Sequence, residues 1–209
     1  MENADPRIAT ITSWLGAGSI NLFGLPFAGK DTHGRELADF FNGPLLGGGD
    51  ILRNSVIPPQ VKQALHAGLL VPSKDFVDIV TPFLSKSEFK DKPLILSSVG
   101  RWIGEEQGVV EALKKAGHPL KAVIYLNIDE ETVRTRWRIS QEKQDRGWRP
   151  EDPEHLLDIR LNEFKVKTLP VIDYYRQRGL LIEINSIIPK PEVTDRILEA
   201  LAEYAAQNT

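Results

Sequence analysis

Nine consecutive residues, Gly24-Leu25-Pro26-Phe27-Ala28-Gly29-Lys30-Asp31-Thr32, have the types and spacing to hold phosphate. Glycines let successive backbone N–H groups turn inward, and a lysine after the second glycine adds a full positive charge. Lys30 is then expected over the β- and γ-phosphates of a nucleotide. The stretch approximates G-x-x-x-x-G-K-[ST], except that Asp31 stands where a magnesium-binding hydroxyl is expected and Thr32 follows one residue later. A carboxylate fits there if it points out of the loop in the first helical turn, where the helix dipole favours an anion. The second concentration of chemistry lies between residues 134 and 149, where Arg134, Arg136, Arg138, Lys143, Arg146 and Arg149 face only Glu142 and Asp145. Arg134 and Arg138 are four apart on one helical face, and such a pair repels unless an anion joins it. A polyphosphate would do so; a solvated basic face is the plainer alternative.

These groups need a frame. Ser19-Ile20-Asn21-Leu22-Phe23 reads as a strand ahead of the loop, and Leu37, Ala38, Phe40 and Phe41 give the helix that follows it. Leu45 and Leu46 suit a short strand, Pro58 to Ala67 and Ser73 to Leu84 two helices, and Lys92 to Arg101 a buried strand run ending in small residues and an arginine. A helix stopping at Gly117, a strand at 121–127 and a helix from Glu130 capped by Asp129 come next. A helix opening at Asp152 and Pro153, a strand at 180–185 and a closing helix from Glu192 to Ala206 complete the order. Strands alternating with helices call for right-handed crossovers and a parallel sheet, so ligands should collect at the strands' carboxyl ends, where Arg101 stands. Ahead of all this, Ile8, Ile11, Trp14 and Leu15 form an amphipathic arm ending at Gly16, docked on the body or on a second subunit.

Bulk properties narrow the class. With 209 residues, 41% of them hydrophobic and 26% charged, the chain suits one α/β domain with a full core. A net charge of -3 argues against a whole-surface nucleic-acid footprint. The absence of cysteine excludes disulfides and thiolate metal sites, and no run is long enough to span a bilayer. A cytoplasmic protein with no nucleic-acid or membrane partner is the expectation, as a monomer or as a dimer through the arm.

In the form G-x-P-x-x-G-K-x-T the phosphate loop resembles that of adenylate kinases and related nucleoside monophosphate kinases. Other segments resemble the same family in the same order. Gly47-Gly48-Gly49-Asp50-Ile51-Leu52-Arg53 is similar to S-T-G-D-x-L-R, and Gly68-Leu69-Leu70-Val71 to G-x-L-V. Ser97-Ser98-Val99-Gly100-Arg101 is similar to D-G-F-P-R, with Ser97 in place of its Asp, and the span from Arg149 to Tyr175 repeats arginine, acidic pair, arginine and P-x-x-x-Y-Y.

The resemblance implies a P-loop three-layer sandwich over residues 19–209, with a five-stranded parallel sheet, a helical acceptor-binding insert near 48–84 and a short lid near 139–148. It implies ATP on Pro26, Phe27, Ala28, Gly29, Lys30, Asp31, Thr32, Arg136, Arg138 and Ile188. The acceptor monophosphate is expected on Gly48, Arg53, Leu70, Val71, Ser98, Gly100, Arg101, Glu105, Arg149 and Arg160. Lys30, Arg101, Arg136, Arg149 and Arg160 would carry catalysis, and Asp50 would support Mg2+ through water. The implied reaction is AMP plus ATP to two ADP. A UMP/CMP kinase, or a nucleotide-binding regulatory protein weakened by the loss of the carboxylate at Ser97, are the alternatives.

Overall fold

A computed structural model of the chain describes residues 5–48, 51, 54–59, 73–143 and 154–208. Five parallel strands form its centre: β1 (Ser19–Gly24), β2 (Leu45–Gly47), β3 (Leu94–Ser97), β4 (Leu120–Asn127) and β5 (Leu181–Asn185), in spatial order β2-β3-β1-β4-β5. The helices between them are α2 (Lys30–Phe41), α3 (Ser73–Leu84), α4 (Glu106–Lys115), α5 (Glu130–Lys143), α6 (Glu154–Glu163), α7 (Leu169–Gln177) and α8 (Lys190–Gln207), with α1 (Pro6–Leu15) ahead of β1. A π-helical turn, Phe164–Thr168, joins α6 to α7.

Alternation along β3 shows how the layers form. Leu94 and Leu96 pack with Val77, Val80 and Leu84 of α3 and Val109, Ala112 and Leu113 of α4. Ile95 points the other way, into the larger cluster with Leu37 and Phe41 of α2. Successive side chains of a strand leave opposite faces, so the three apolar residues that open β3 serve both layers. Strand β1 is buried over its whole length because β3 and β4 flank it on either side. The sheet and its flanking helices are an α/β fold of the P-loop type.

Strand β1 runs on into α2 and thence to β2 on the far side of β3, whereas the chain leaving β3 crosses β1 to reach β4. The connections therefore diverge at the crevice between the carboxyl ends of β1 and β3, the place where open parallel sheets bind ligands. Leu22 of β1 pairs with Ser97 of β3 there, and the loops after both strands open onto it.

One of two stated alternatives is taken up, and two expected boundaries shift. The arm docks on its own chain: Ile11, Trp14 and Leu15 are buried, Trp14 meets Tyr204 of α8 edge-on at 5.7 Å, and Arg7 pairs with Asp195 at 2.7 Å. Helix α5 continues to Lys143 through the first residues assigned to the lid, because no glycine or proline interrupts the helix-forming residues before Gly147. Helix α8 starts at Lys190, two residues early, with Pro191 in its first turn where a missing N–H costs nothing. The helix expected from Pro58 to Ala67 and the remainder of the lid lie outside the described residues, apart from Pro58 and Pro59.

Candidate active site

The phosphate loop is closed at both ends by its own backbone. Gly29 takes φ of 98°, a left-handed conformation that admits glycine freely, and α2 starts at the next residue. Phe27 also has positive φ, 63°, which costs a residue with a Cβ about 1–2 kcal/mol. Its ring packs against the main core and its carbonyl accepts from Arg136, which offsets that cost. Pro26 and Ala28 are buried. Lys30 Nζ donates to the carbonyls of Gly24 at 2.8 Å and Leu25 at 2.9 Å, so the ammonium lies over the start of the loop. Thr32 follows in the first turn of α2, half-buried.

Asp31 does not point away. Its Oδ1 accepts from the Ser97 hydroxyl at 3.0 Å, across 66 residues of sequence, so the carboxylate turns toward the carboxyl end of β3. Beyond Ser97, Ser98 and Gly100 both have positive φ, 53° and 66°, and Arg101 follows with an exposed side chain. Any Cβ on Gly100 would lie 2.1 Å from Val109 Cγ2, so the loop fits only glycine there. Gly48 is also crowded, since a Cβ on it would meet the Ser98 carbonyl at 2.9 Å. Glu105 is buried at the start of α4, and its Oε2 accepts from the Trp102 backbone N–H at 3.3 Å. That partner stiffens the turn carrying Arg101.

The basic residues divide by environment. Arg136 is half-buried and donates to the carbonyls of Phe27, at 3.1 Å, and Ser186, tying the phosphate loop to the loop after β5. Burial pulls its guanidinium below the ordinary arginine range, and it stays charged because an arginine side chain is so strongly basic. Arg138, two residues on, is exposed, and Ile188 is half-buried against the core. Arg134 is a correction: its guanidinium meets Asp158 of α6 at 2.6 Å, so its repulsion with Arg138 is relieved by a carboxylate of the chain itself. Arg160 is half-buried on α6. The π turn after it reaches the Arg101 loop, since Ile103 N–H donates to the Lys167 carbonyl at 3.0 Å and the Lys167 ammonium stands 4.3 Å over the Trp102 ring. Asp50, Arg53, Leu70, Val71 and Arg149 lie outside the described residues.

Three buried polar side chains that hold the site together were missed. Asn21, fully buried in β1, donates to the Val99 carbonyl at 2.8 Å and accepts from the Val99 N–H at 3.3 Å, fixing the Ser97–Arg101 loop against the strand that leads to Lys30. A polar residue within an apolar strand was the available signal, because buried amides are hydrogen-bonded. Ser186, also fully buried, donates to the Ala28 carbonyl at 2.8 Å. His33 lies with its ring against Gly29 and its Nδ1 3.0 Å from the Thr194 hydroxyl. Burial holds this imidazole below its ordinary range, opposed by the Glu36 carboxylate.

Lys30 and Arg136 both donate to backbone carbonyls of the phosphate loop, Arg101 stands on the loop that Asn21 fixes to β1, and Arg160 stands on α6. Among the described residues no three His, Cys, Asp or Glu side chains converge as a metal cage. Comparison with known proteins agrees with this chemistry. A family model for adenylate kinase matches residues 22–180. The chain is 33% identical over 190 residues to an adenylate kinase of Methylobacterium nodulans, an alignment covering 87% of this chain and 94% of that protein. It is 32% identical over 187 residues to one from Leifsonia xyli subsp. xyli, covering 87% and 92%, and 29% identical over 181 residues to one from Cyanothece, covering 84% and 91%. With the phosphate loop, the parallel sheet and these likenesses in agreement, the chain belongs to the adenylate kinase family, phosphotransferases that act on nucleoside monophosphates.

Proposed function

We propose that this protein transfers the γ-phosphoryl group of ATP to AMP, forming two ADP. The observation that carries the reading is the bracing of the phosphate loop to the other candidate phosphate contacts: Asn21 joins it to the Arg101 loop, and Arg136 and Ser186 join it to the loop after β5. Groups fixed in this way act by preorganisation, because they need no rearrangement when charge develops on the transferring phosphoryl.

Roles follow from position. The loop amides and Lys30 hold the β- and γ-phosphates of the donor, while Arg136 stabilises the transferring group and keeps the loop seated. Arg101, with Arg53, holds the acceptor phosphate, and Arg149 and Arg160 add charge over the transferring group from α6 and the segment before it. Ile188 and the loop after β5 pack on the adenine. No residue is needed as a general base, since the attacking oxygen belongs to an already ionised phosphate and catalysis rests on positioning and electrostatics. The Asp31 carboxylate and Ser97 hydroxyl, with Asp50, are hard oxygen donors of the kind Mg2+ takes. When bound with ATP the ion neutralises phosphate charge.

The test is an assay of diphosphate formation from Mg-ATP with AMP, CMP, UMP, GMP and dTMP in turn. Turnover with AMP well above the others is expected, and abolished turnover in Lys30→Ala excludes a contaminating kinase. Preference for UMP or CMP would replace AMP as the acceptor. ATP binding without turnover on any acceptor would overturn the reading in favour of a regulatory nucleotide-binding role.

A further inference from the structure

We infer that Lys167 is a positioning residue for the acceptor nucleotide: its ammonium, seated between the Trp102 ring and the Glu163 carboxylate, keeps the Arg101 loop and helix α6 at a fixed spacing. The inference rests on the kinase reading of the same site and concerns how its acceptor side is held ready.

Arg101 and Arg160 belong to different elements, one on the loop after β3 and the other on α6. Two cationic side chains that serve one phosphate work best when their backbones are spaced before it arrives. The π-helical turn Phe164–Thr168 sets that spacing. Such turns break the regular hydrogen-bond register of a helix and are frequent at functional sites. Phe164 and Thr168 are buried, which anchors both ends of the turn on the body. Between them the Lys167 carbonyl accepts from the Ile103 N–H at 3.0 Å, so the backbone of the turn meets the backbone of the Arg101 loop.

The side chain adds a second contact at the same place. Lys167 Nζ donates to Glu163 Oε1 at 2.9 Å and stands 4.3 Å over the Trp102 ring, inside the range of about 6 Å over which an indole face attracts a cation. Glu163 is one turn beyond Arg160 on α6, and Trp102 directly follows Arg101. One ammonium therefore joins the immediate neighbours of both arginines. An i,i+4 ion pair on a helix surface is weak alone, and the indole face is what carries the contact across to the loop. The rest of that loop is held separately, since Asn21 fixes Val99 to β1 and Glu105 accepts from the Trp102 N–H. Without the ammonium the Trp102 end would be less ordered before the acceptor binds, and the cost of ordering it would appear as weaker acceptor binding. ATP should not feel the change, because Arg136 and Ser186 brace the phosphate loop from α5 and from the loop after β5. The competing explanation is structural, with Lys167 serving only to fasten α6 to the body.

Steady-state kinetics on the full chain decide between the two, with KM measured separately for ATP and for the monophosphate that turns over fastest. Thermal melting would establish the temperatures at which each variant is folded. Lys167→Met removes the charge and keeps an apolar stem. It should raise KM for the acceptor about 3- to 10-fold, the size expected for a cation lost from an indole face, and leave KM for ATP unchanged. Lys167→Arg should restore the acceptor KM, because a guanidinium makes both contacts. Trp102→Leu should raise it to a similar extent, and the Lys167→Met/Trp102→Leu double variant should be no worse than the poorer single one. An acceptor KM unaltered in Lys167→Met, whether or not its melting temperature falls, would overturn the inference. So would additive losses, no rescue by arginine, or an equal rise in KM for both nucleotides. A wild type that phosphorylates none of the monophosphates would overturn the kinase reading itself, and this inference with it.

Discussion

Arg136 shows how much one side chain does at the residue scale. A guanidinium has five donors, and two of its contacts here are to the carbonyls of Phe27 and Ser186. Its removal should act twice. Turnover of Arg136→Ala should fall by roughly 10²- to 10³-fold through lost transition-state charge. Stability should fall by about 1–3 kcal/mol as two carbonyls lose their partner. Steady-state kinetics and urea denaturation on one preparation check both, and a loss of turnover with unaltered stability would remove the clamping role. Asp31 is the reverse case, a departure from the linear pattern whose carboxylate is held by the hydroxyl of a residue on another strand, Ser97.

At the scale of elements, the loop after β3 carries backbone strain and the start of α2 carries a titratable group. Gly100 combines φ of 66° with a Cβ position only 2.1 Å from Val109 Cγ2. Gly100→Ala should cost about 1–3 kcal/mol from backbone strain, with further loss from the clash. Because Arg101 is the next residue, KM for the acceptor should rise more than KM for ATP, and adding Val109→Ala should recover the clash part only. The start of α2 carries a pH dependence. Burial depresses His33, opposed by Glu36 and reinforced by Lys190 and Arg136. The unfolded chain therefore takes up a proton near the ordinary value of 6.5 while the folded chain resists it. Stability from this group is complete above that value and declines as pH falls below it. Urea midpoints measured downward from neutral pH should drop, and His33→Asn should flatten that drop. Glu36 sits below its ordinary 4.5, with burial working against the Thr194 and Lys190 contacts that hold it there, so its own contribution is lost at lower pH.

For the whole molecule, the notable feature is that the N-terminal helix completes the core. Ile11 and Leu15 are essentially inaccessible, and Trp14 fits between the Tyr204 ring and the Lys121 ammonium, 5.8 Å from its own ring centre. Truncating a large buried aromatic side chain costs about 3–5 kcal/mol, so Trp14→Ala should lower the denaturation midpoint sharply. The helix packs chiefly on α8 and only slightly on α2, and no hydrogen bond joins it to the phosphate loop among the described residues, so turnover per folded molecule should be unchanged. A drop in specific activity at temperatures where the variant is fully folded would show that the arm communicates with the site. No helix among the described residues is long and apolar enough to cross a membrane.

Local sequence determined the elements and the form of the phosphate loop. The glycine spacing, the lysine, the strand before and the helix after are all short-range features, and apolar periodicity is enough to specify parallel strands joined by helices. What folding alone decided was where charges point. Arg134 could not be assigned to Asp158 rather than to phosphate, nor Asp31 to Ser97 rather than to solvent, because each partner lies dozens of residues away. Asn21, Ser186 and Arg136 likewise brace the loops through contacts spanning 50 to 158 residues. Backbone pattern is written in neighbours, whereas the direction of a polar side chain is set by whichever distant strand end or helix start the sheet brings within hydrogen-bonding reach.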